Sequence, residues 1–190
     1  MTDALFSAIP GDVQLTDFDV SLEPGGGRFA MSPVVHGLSL RISAKGVQML
    51  AQALVDEADR RAPVGLRLKD ARVADGGIDL YLRVEKGIFG SDLSTRLVLS
   101  APGGQVLRVE IVDTGMPSWL PLDMMLDEAV KRSNGAVQRD PQNRRALLLD
   151  PVTLMTRAGV PGRFAPGRWD VATSPAGVAL TFREGSAGAA

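Results

Sequence analysis

His36 is the only histidine in this chain of 190 residues, so an imidazole base, if one acts here, must be this residue. One histidine excludes multi-histidine metal sites, and the absence of cysteine excludes disulfides, thiolate metal sites and cysteine nucleophiles. His36 lies in Val34-Val35-His36-Gly37-Leu38, a strand-like context, and no nucleophile elbow occurs anywhere in the chain. A structural, hydrogen-bonded histidine is therefore expected, not a catalytic one. Asp17, Asp19, Asp75, Asp79, Asp123 and Asp127 could supply carboxylate pairs. Asp123 and Asp127 stand one helical turn apart, where like charges mark a solvated face, and no calcium-loop spacing is present. Gly25-Gly26-Gly27 is followed by Arg28-Phe29-Ala30-Met31, without the helix and Lys-Ser/Thr that a phosphate cradle needs, and reads as a hairpin tip.

Arg67, Lys69, Arg72, Arg83, Lys86, Arg96 and Arg108 could make a positive stripe for phosphates. Asp79, Glu85, Asp92, Glu110 and Asp113 are interleaved with them, aromatic residues are few, and 21 basic against 22 acidic residues leave a net charge of −1. Nucleic acid is accordingly not an expected partner. The apolar residues say more. Met116, Trp119, Leu120, Met124 and Met125 gather where a helix begins beside the end of a sheet; flexible methionines there either line the mouth of a hydrophobic cavity or belong to an ordinary core.

The elements that position these residues follow from period and punctuation. Leu66 to Asp113 reads as an antiparallel meander. Ile78, Leu80, Leu82 and Val84 alternate with polar residues, as do Leu93, Leu97 and Leu99, then Leu107, Val109 and Ile111; Asp75-Gly76-Gly77 and Ala101-Pro102-Gly103-Gly104 supply turns. Before it, Val13, Leu15, Phe18, Val20 and Leu22 suggest an imperfect strand, and Val34 to Ile42, which ends in clean alternation, a regular one. Ser43 caps the clearest helix, Ser43 to Arg61, with Val47, Leu50, Ala51, Leu54, Val55 and Ala58 on one stripe, stopped by Pro63. Ala4 to Ile9 is a short helix or a frayed end.

After the meander, Leu122 to Arg132 is a second helix, ended by Ser133-Asn134-Gly135; Gln138 to Arg145 reads as a surface loop turning at Asp140-Pro141. Asp150-Pro151 starts a short third helix, and Pro161 to Gly167 is an irregular link. In a last hairpin the strand of Trp169, Val171 and Thr173 pairs with the strand of Val178, Leu180 and Phe182, and the tail 186–190 is expected to be disordered. The order helix then hairpin occurs twice, at Ser43 to Glu85 and at Asp150 to Glu184. The expectation is one α+β domain over residues 1–190: a long antiparallel meander sheet curled around one long amphipathic helix, with two shorter helices.

Three segments carry a family resemblance. Ile42-Ser43-Ala44-Lys45-Gly46-Val47 opens the helix, Leu66-Arg67-Leu68-Lys69-Asp70-Ala71-Arg72-Val73-Ala74-Asp75-Gly76-Gly77 enters the meander, and Trp169-Asp170-Val171 to Val178-Ala179-Leu180 closes the chain. With this order of elements, Leu38 to Arg183 resembles the bacterial LmeA-like phospholipid-binding proteins, half-modules of the tubular lipid-binding (TULIP) superfamily. The resemblance implies a TULIP-like half-barrel with an acyl chain between sheet and helix. Val47, Leu50 and Leu54 would form one wall, and Ile78, Leu80, Leu82, Leu97, Leu99, Val109 and Ile111 the other, with Met116, Trp119 and Met125 at the mouth.

The function expected is binding or carrying of a lipid or other elongated hydrophobic molecule, without catalysis or cofactor and with peripheral membrane contact as an option. The alternative is a non-catalytic partner or assembly module whose apolar faces are filled by protein. The N-terminus has no basic region or long apolar run, and no stretch is long enough to span a bilayer; as written the chain is expected in the cytoplasm, or in the envelope if a leader has been removed.

Overall fold

The computed structural model describes residues 12–24, 31–60, 64–113, 122–157 and 163–185. The expectations for Ala4 to Ile9, the Gly25 to Gly27 tip, Pro63, Met116 to Leu120 and the tail fall outside these residues. The described chain is α+β, with eleven strands, nearly all antiparallel, and three helices. A hairpin, β1 (Val13–Pro24) and β2 (Met31–Ser43), leads into α1 (Ala44–Asp59). The meander is β3 (Gly65–Ala74), β4 (Gly77–Lys86), β5 (Phe89–Gly103) and β6 (Val106–Asp113). Then come α2 (Leu122–Arg132), β7 (Val137–Asp140), β8 (Asn143–Leu149), α3 (Pro151–Arg157), β9 (Arg163–Phe164), β10 (Gly167–Ser174) and β11 (Gly177–Glu184).

These strands form two sheets. One runs β3-β4-β5-β6-β8-β7; the other runs β1-β2-β11-β10, with β9 parallel to the start of β2. Hairpin, helix, hairpin therefore occurs twice, as β1-β2-α1-β3-β4 and as β7-β8-α3 followed by β10-β11, and each sheet takes one hairpin from each set.

Local chemistry explains the elements. Ser43 Oγ accepts the Gly46 amide at 3.0 Å, capping α1, and donates to Asp12 Oδ1 at 2.7 Å. Along α1, Gly46 and Val47 are buried and Leu50, Ala51, Val55 and Ala58 half-buried, so the apolar stripe lies against β3 and touches β2 and β11. Asn134 and Gly135 adopt φ of 47° and 95° just after α2. Gly177, in the β10-β11 turn, has φ 142° and lies so close to the Ile42 carbonyl that a Cβ would collide with it.

The irregular spacing of β1 has a structural cause. Its register against β2 slips at Thr16, and this bulge turns Leu15 to the same side as Phe18, Val20 and Leu22. A second slip, at His36 of β2, brings Val35 into line with Leu38, Leu40 and Ile42 in the same way. The aliphatic faces of the two sheets meet at Val35, Leu38, Leu107, Trp169 and Phe182. The Trp169 indole N–H is buried there without an acceptor among the described residues.

Two expectations are corrected. Gln138 to Arg145 is not a loop but most of the β7-β8 hairpin, turning at Pro141. Its polarity misleads because the charges are satisfied laterally: Arg108 Nε donates to Asp140 at 2.7 Å, Asn143 to Glu110 at 2.8 Å and Arg139 to Asp123 at 2.6 Å. The link from Pro161 to Gly167 contains β9, whose pairing with Val34 and Val35 comes from a strand distant in sequence.

Two outcomes follow for stability. Phe182 is 0 % exposed, so Phe182→Ala should lower the unfolding free energy by about 3–5 kcal/mol in urea titration. The Gln142 amide first, and Arg108 next, hold the Asp140 carboxyl below its usual range. That contribution is complete at neutral pH and is lost as pH falls through the depressed value. Asp140→Asn should therefore lower the urea midpoint at neutral pH, and the gap to the parent protein should close as pH is taken below about 4.

Candidate functional site

The apolar residues singled out from the sequence are largely brought together. In register across the six-stranded sheet, Val73, Ile78, Leu97 and Ile111 form one row, and Leu99, Val109 and Leu147 the next. Val47 and Ile78 are buried with Val73 and Val178, and Leu80, Leu97 and Leu99 pack against this cluster. Leu82 and Met125 pack against a second cluster, Val64, Leu66, Val84 and Leu93, under Val55 and Ala58 of α1. Leu50, Leu80, Leu82, Leu97, Leu99, Val109 and Ile111 are all only half-buried.

Leu54 departs from expectation. It is 61 % exposed and faces solvent, because α1 presents Val47, Val55 and Ala58 to the sheet and rotates Leu54 off that stripe. Met116 and Trp119 lie outside the described residues. Two grooves among the described residues are lined by other side chains. One of about 410 Å³ lies at the start of α1 between Asp12, Arg41, Ser43 and Gly177; one of about 450 Å³ lies between Pro102, Arg108, Asp140 and Leu148.

Sequence reasoning missed one apolar surface. Leu15, Phe18 and Leu22 are 55 %, 51 % and 63 % exposed, yet they pair in register with Leu40, Leu38 and Pro33 and so continue the inner face of their sheet. Their spacing was visible in the sequence; that they would overhang uncovered was not, since it depends on where the other sheet ends.

The basic residues of the meander do not form a free cationic stripe. Lys69 and Arg83 both bind Asp92, at 2.6 and 3.1 Å, Arg72 binds Asp70 at 2.7 Å, and Arg96 lies 3.6 Å from Asp79. Lys69 first, and Arg83 next, keep the Asp92 carboxyl below its usual range. Among the described residues there is no group of three or more acidic or histidine side chains able to hold a metal, and no helix long and apolar enough to cross a membrane.

His36 is hydrogen-bonded through both ring nitrogens. Nε2 is 2.7 Å from Ser21 Oγ on β1, and Nδ1 is 2.8 Å from Glu184 Oε2 at the end of β11. Comparison with protein-family models, with curated proteins and with solved structures finds no match to this chain.

The contrast between two of the named residues is measurable by chemical denaturation. Leu54→Asp should leave the unfolding free energy within about 0.5 kcal/mol of the parent. Ile78→Ala, which empties a packed position, should cost about 2–5 kcal/mol.

Proposed function

We propose that this protein binds an elongated apolar ligand, the acyl chain of a lipid, between its six-stranded sheet and α1, in the half-barrel manner of the LmeA-like, TULIP-type proteins it resembles. The observation that carries this reading is that Leu80, Leu82, Leu97, Leu99, Val109 and Ile111, on the aliphatic face of that sheet, are left only half-buried. Aliphatic side chains left partly open to water offer surface that an apolar ligand can still cover. Each methylene withdrawn from water contributes about 0.8 kcal/mol, so roughly ten of them offset the cost of immobilising the ligand. In this reading the head group stays at the rim, where contact with a membrane surface delivers the lipid.

A second reading, a partner-binding module, is favoured by a different observation: the uncovered Leu15, Phe18 and Leu22 on the edge strand β1. Exposed apolar side chains on an edge are what a protein partner would cover.

Native mass spectrometry of the purified protein, before and after incubation with phospholipid, separates the two. Lipid binding predicts a near-stoichiometric added mass, extractable into organic solvent, and at least a tenfold loss of uptake, about 1.4 kcal/mol, in Leu50→Asp and Leu82→Asp proteins that retain their circular dichroism. An apo mass that phospholipid leaves unchanged would overturn lipid binding and leave the partner-binding reading.

A further inference from the structure

Three adjacent strands, β1, β2 and β11, place a hydroxyl, an imidazole and a carboxylate in one line. In the neutral imidazole, a Glu184 carboxylate that can only accept assigns the proton to Nδ1 and leaves the Nε2 lone pair toward the Ser21 hydroxyl. This is the arrangement that activates a serine: base against nucleophile, carboxylate against base. His36 sits at the β2 bulge, the kind of irregularity that re-aims a side chain out of the regular ladder. The three side chains are half-buried or exposed, so the group is open to a solute.

An ion pair lies in the same sheet. Arg163 on β9, Val34 on β2 and Ser21 on β1 share one row. The Arg163 guanidinium reaches across to Glu23, which is two residues from Ser21 and on the same face of β1.

We propose that Ser21, His36 and Glu184 form a hydrolytic site for carboxylic esters, with Ser21 as nucleophile, His36 as base and Glu184 as a positioning residue. Ser21 Oγ attacks the ester carbonyl carbon and its proton passes to His36 Nε2. The bond to the alcohol oxygen then breaks, the alcohol departs with that proton, and Ser21 is left acylated. Water attacks the acyl-serine, gives a proton to Nε2, and the carboxylic acid leaves as Nε2 returns the proton to Ser21. No electron donor or acceptor is required. The site lies on the opposite face of β1 from Val20 and Leu22, so it stands independently of lipid binding between the sheet and α1.

The test uses the full chain with p-nitrophenyl esters from acetate to octanoate, together with a fluorophosphonate probe and peptide mapping of the adduct. The expected result is a fluorophosphonate adduct on Ser21, and a fall in kcat/KM of about 10²–10⁴-fold in His36→Ala. Ser21→Ala should lose both adduct and turnover, and Glu184→Gln should lower kcat while Glu184→Asp restores part of it. Thermal melts matching the parent show that the variants are folded. Turnover at the level of the uncatalysed reaction, no adduct on Ser21 in the folded parent, or hydrolysis unchanged in His36→Ala would each overturn the proposal.

Discussion

Two sheets that are apolar on one face each must bring those faces together, and Phe182 is where this chain does so. Its ring lies edge-on to Phe164 at 5.0 Å and tilted against Trp169 at 5.3 Å, with Val35, Leu38 and Leu107 around it. Much of the remaining architecture depends on that contact. Phe182 opposite Leu38 sets the register of β11 on β2, and Phe182 opposite Trp169 sets β10 on β11. Gly167 must stay small for the same reason, since a Cβ there would lie 2.6 Å from the Phe182 ring. Leu107 ties the cluster to the meander, so the core joins strands from both ends of the sequence and cannot form until the last hairpin is in place.

Bulges keep the inner faces continuous, and they also decide what the sequence reveals. An alternation of two marks β4 and β6 without ambiguity, and the turn glycines mark their ends. In β1 the extra residue at Thr16 breaks the count, so its apolar residues read as an imperfect strand although each of them faces inward, while β2 keeps a clean alternation from Leu38 to Ile42 beyond the extra residue at His36. The helices were legible because their stripes and caps are local: Ser43 before α1, Asp150 before α3, Asn134 and Gly135 after α2. The partition into two sheets was not legible, because β2 finds β11 more than a hundred residues away, and short-range pattern carries no information about such pairings. The β7-β8 hairpin was hidden by its charges, whose partners Arg108 and Glu110 belong to the meander.

Electrostatics shape the outer face of the meander without giving the molecule a field. The paired cations there sit beside carboxylates of the same sheet: Arg83 with Glu85 and Asp92, Arg96 with Asp79, Arg108 with Glu110 and, two strands away, Asp140. Exposed pairs of this kind contribute roughly 0–1 kcal/mol each, so they order a solvated surface more than they hold the fold. Where the guanidinium groups are paired, a polyanion would have to displace those carboxylates to use them.

The candidate sites were legible to different degrees for one physical reason. A wall of aliphatic residues repeats along a strand, so most of it could be read from period alone, and Leu54 failed because a helical stripe is wider than the face it buries. A hydroxyl, an imidazole and a carboxylate from residues 21, 36 and 184 have no period and no spacing, and His36 looked solitary until β11 came to lie beside β2. Strand alternation then separates the two features on a single hairpin. Val20 and Leu22 point to the side of Val35, while Ser21 and Glu23 point to the other side, that of the buried Val34. A polar cluster and an apolar surface can thus occupy consecutive residues without either being forced into the other's environment, and a substitution at one need not disturb the other.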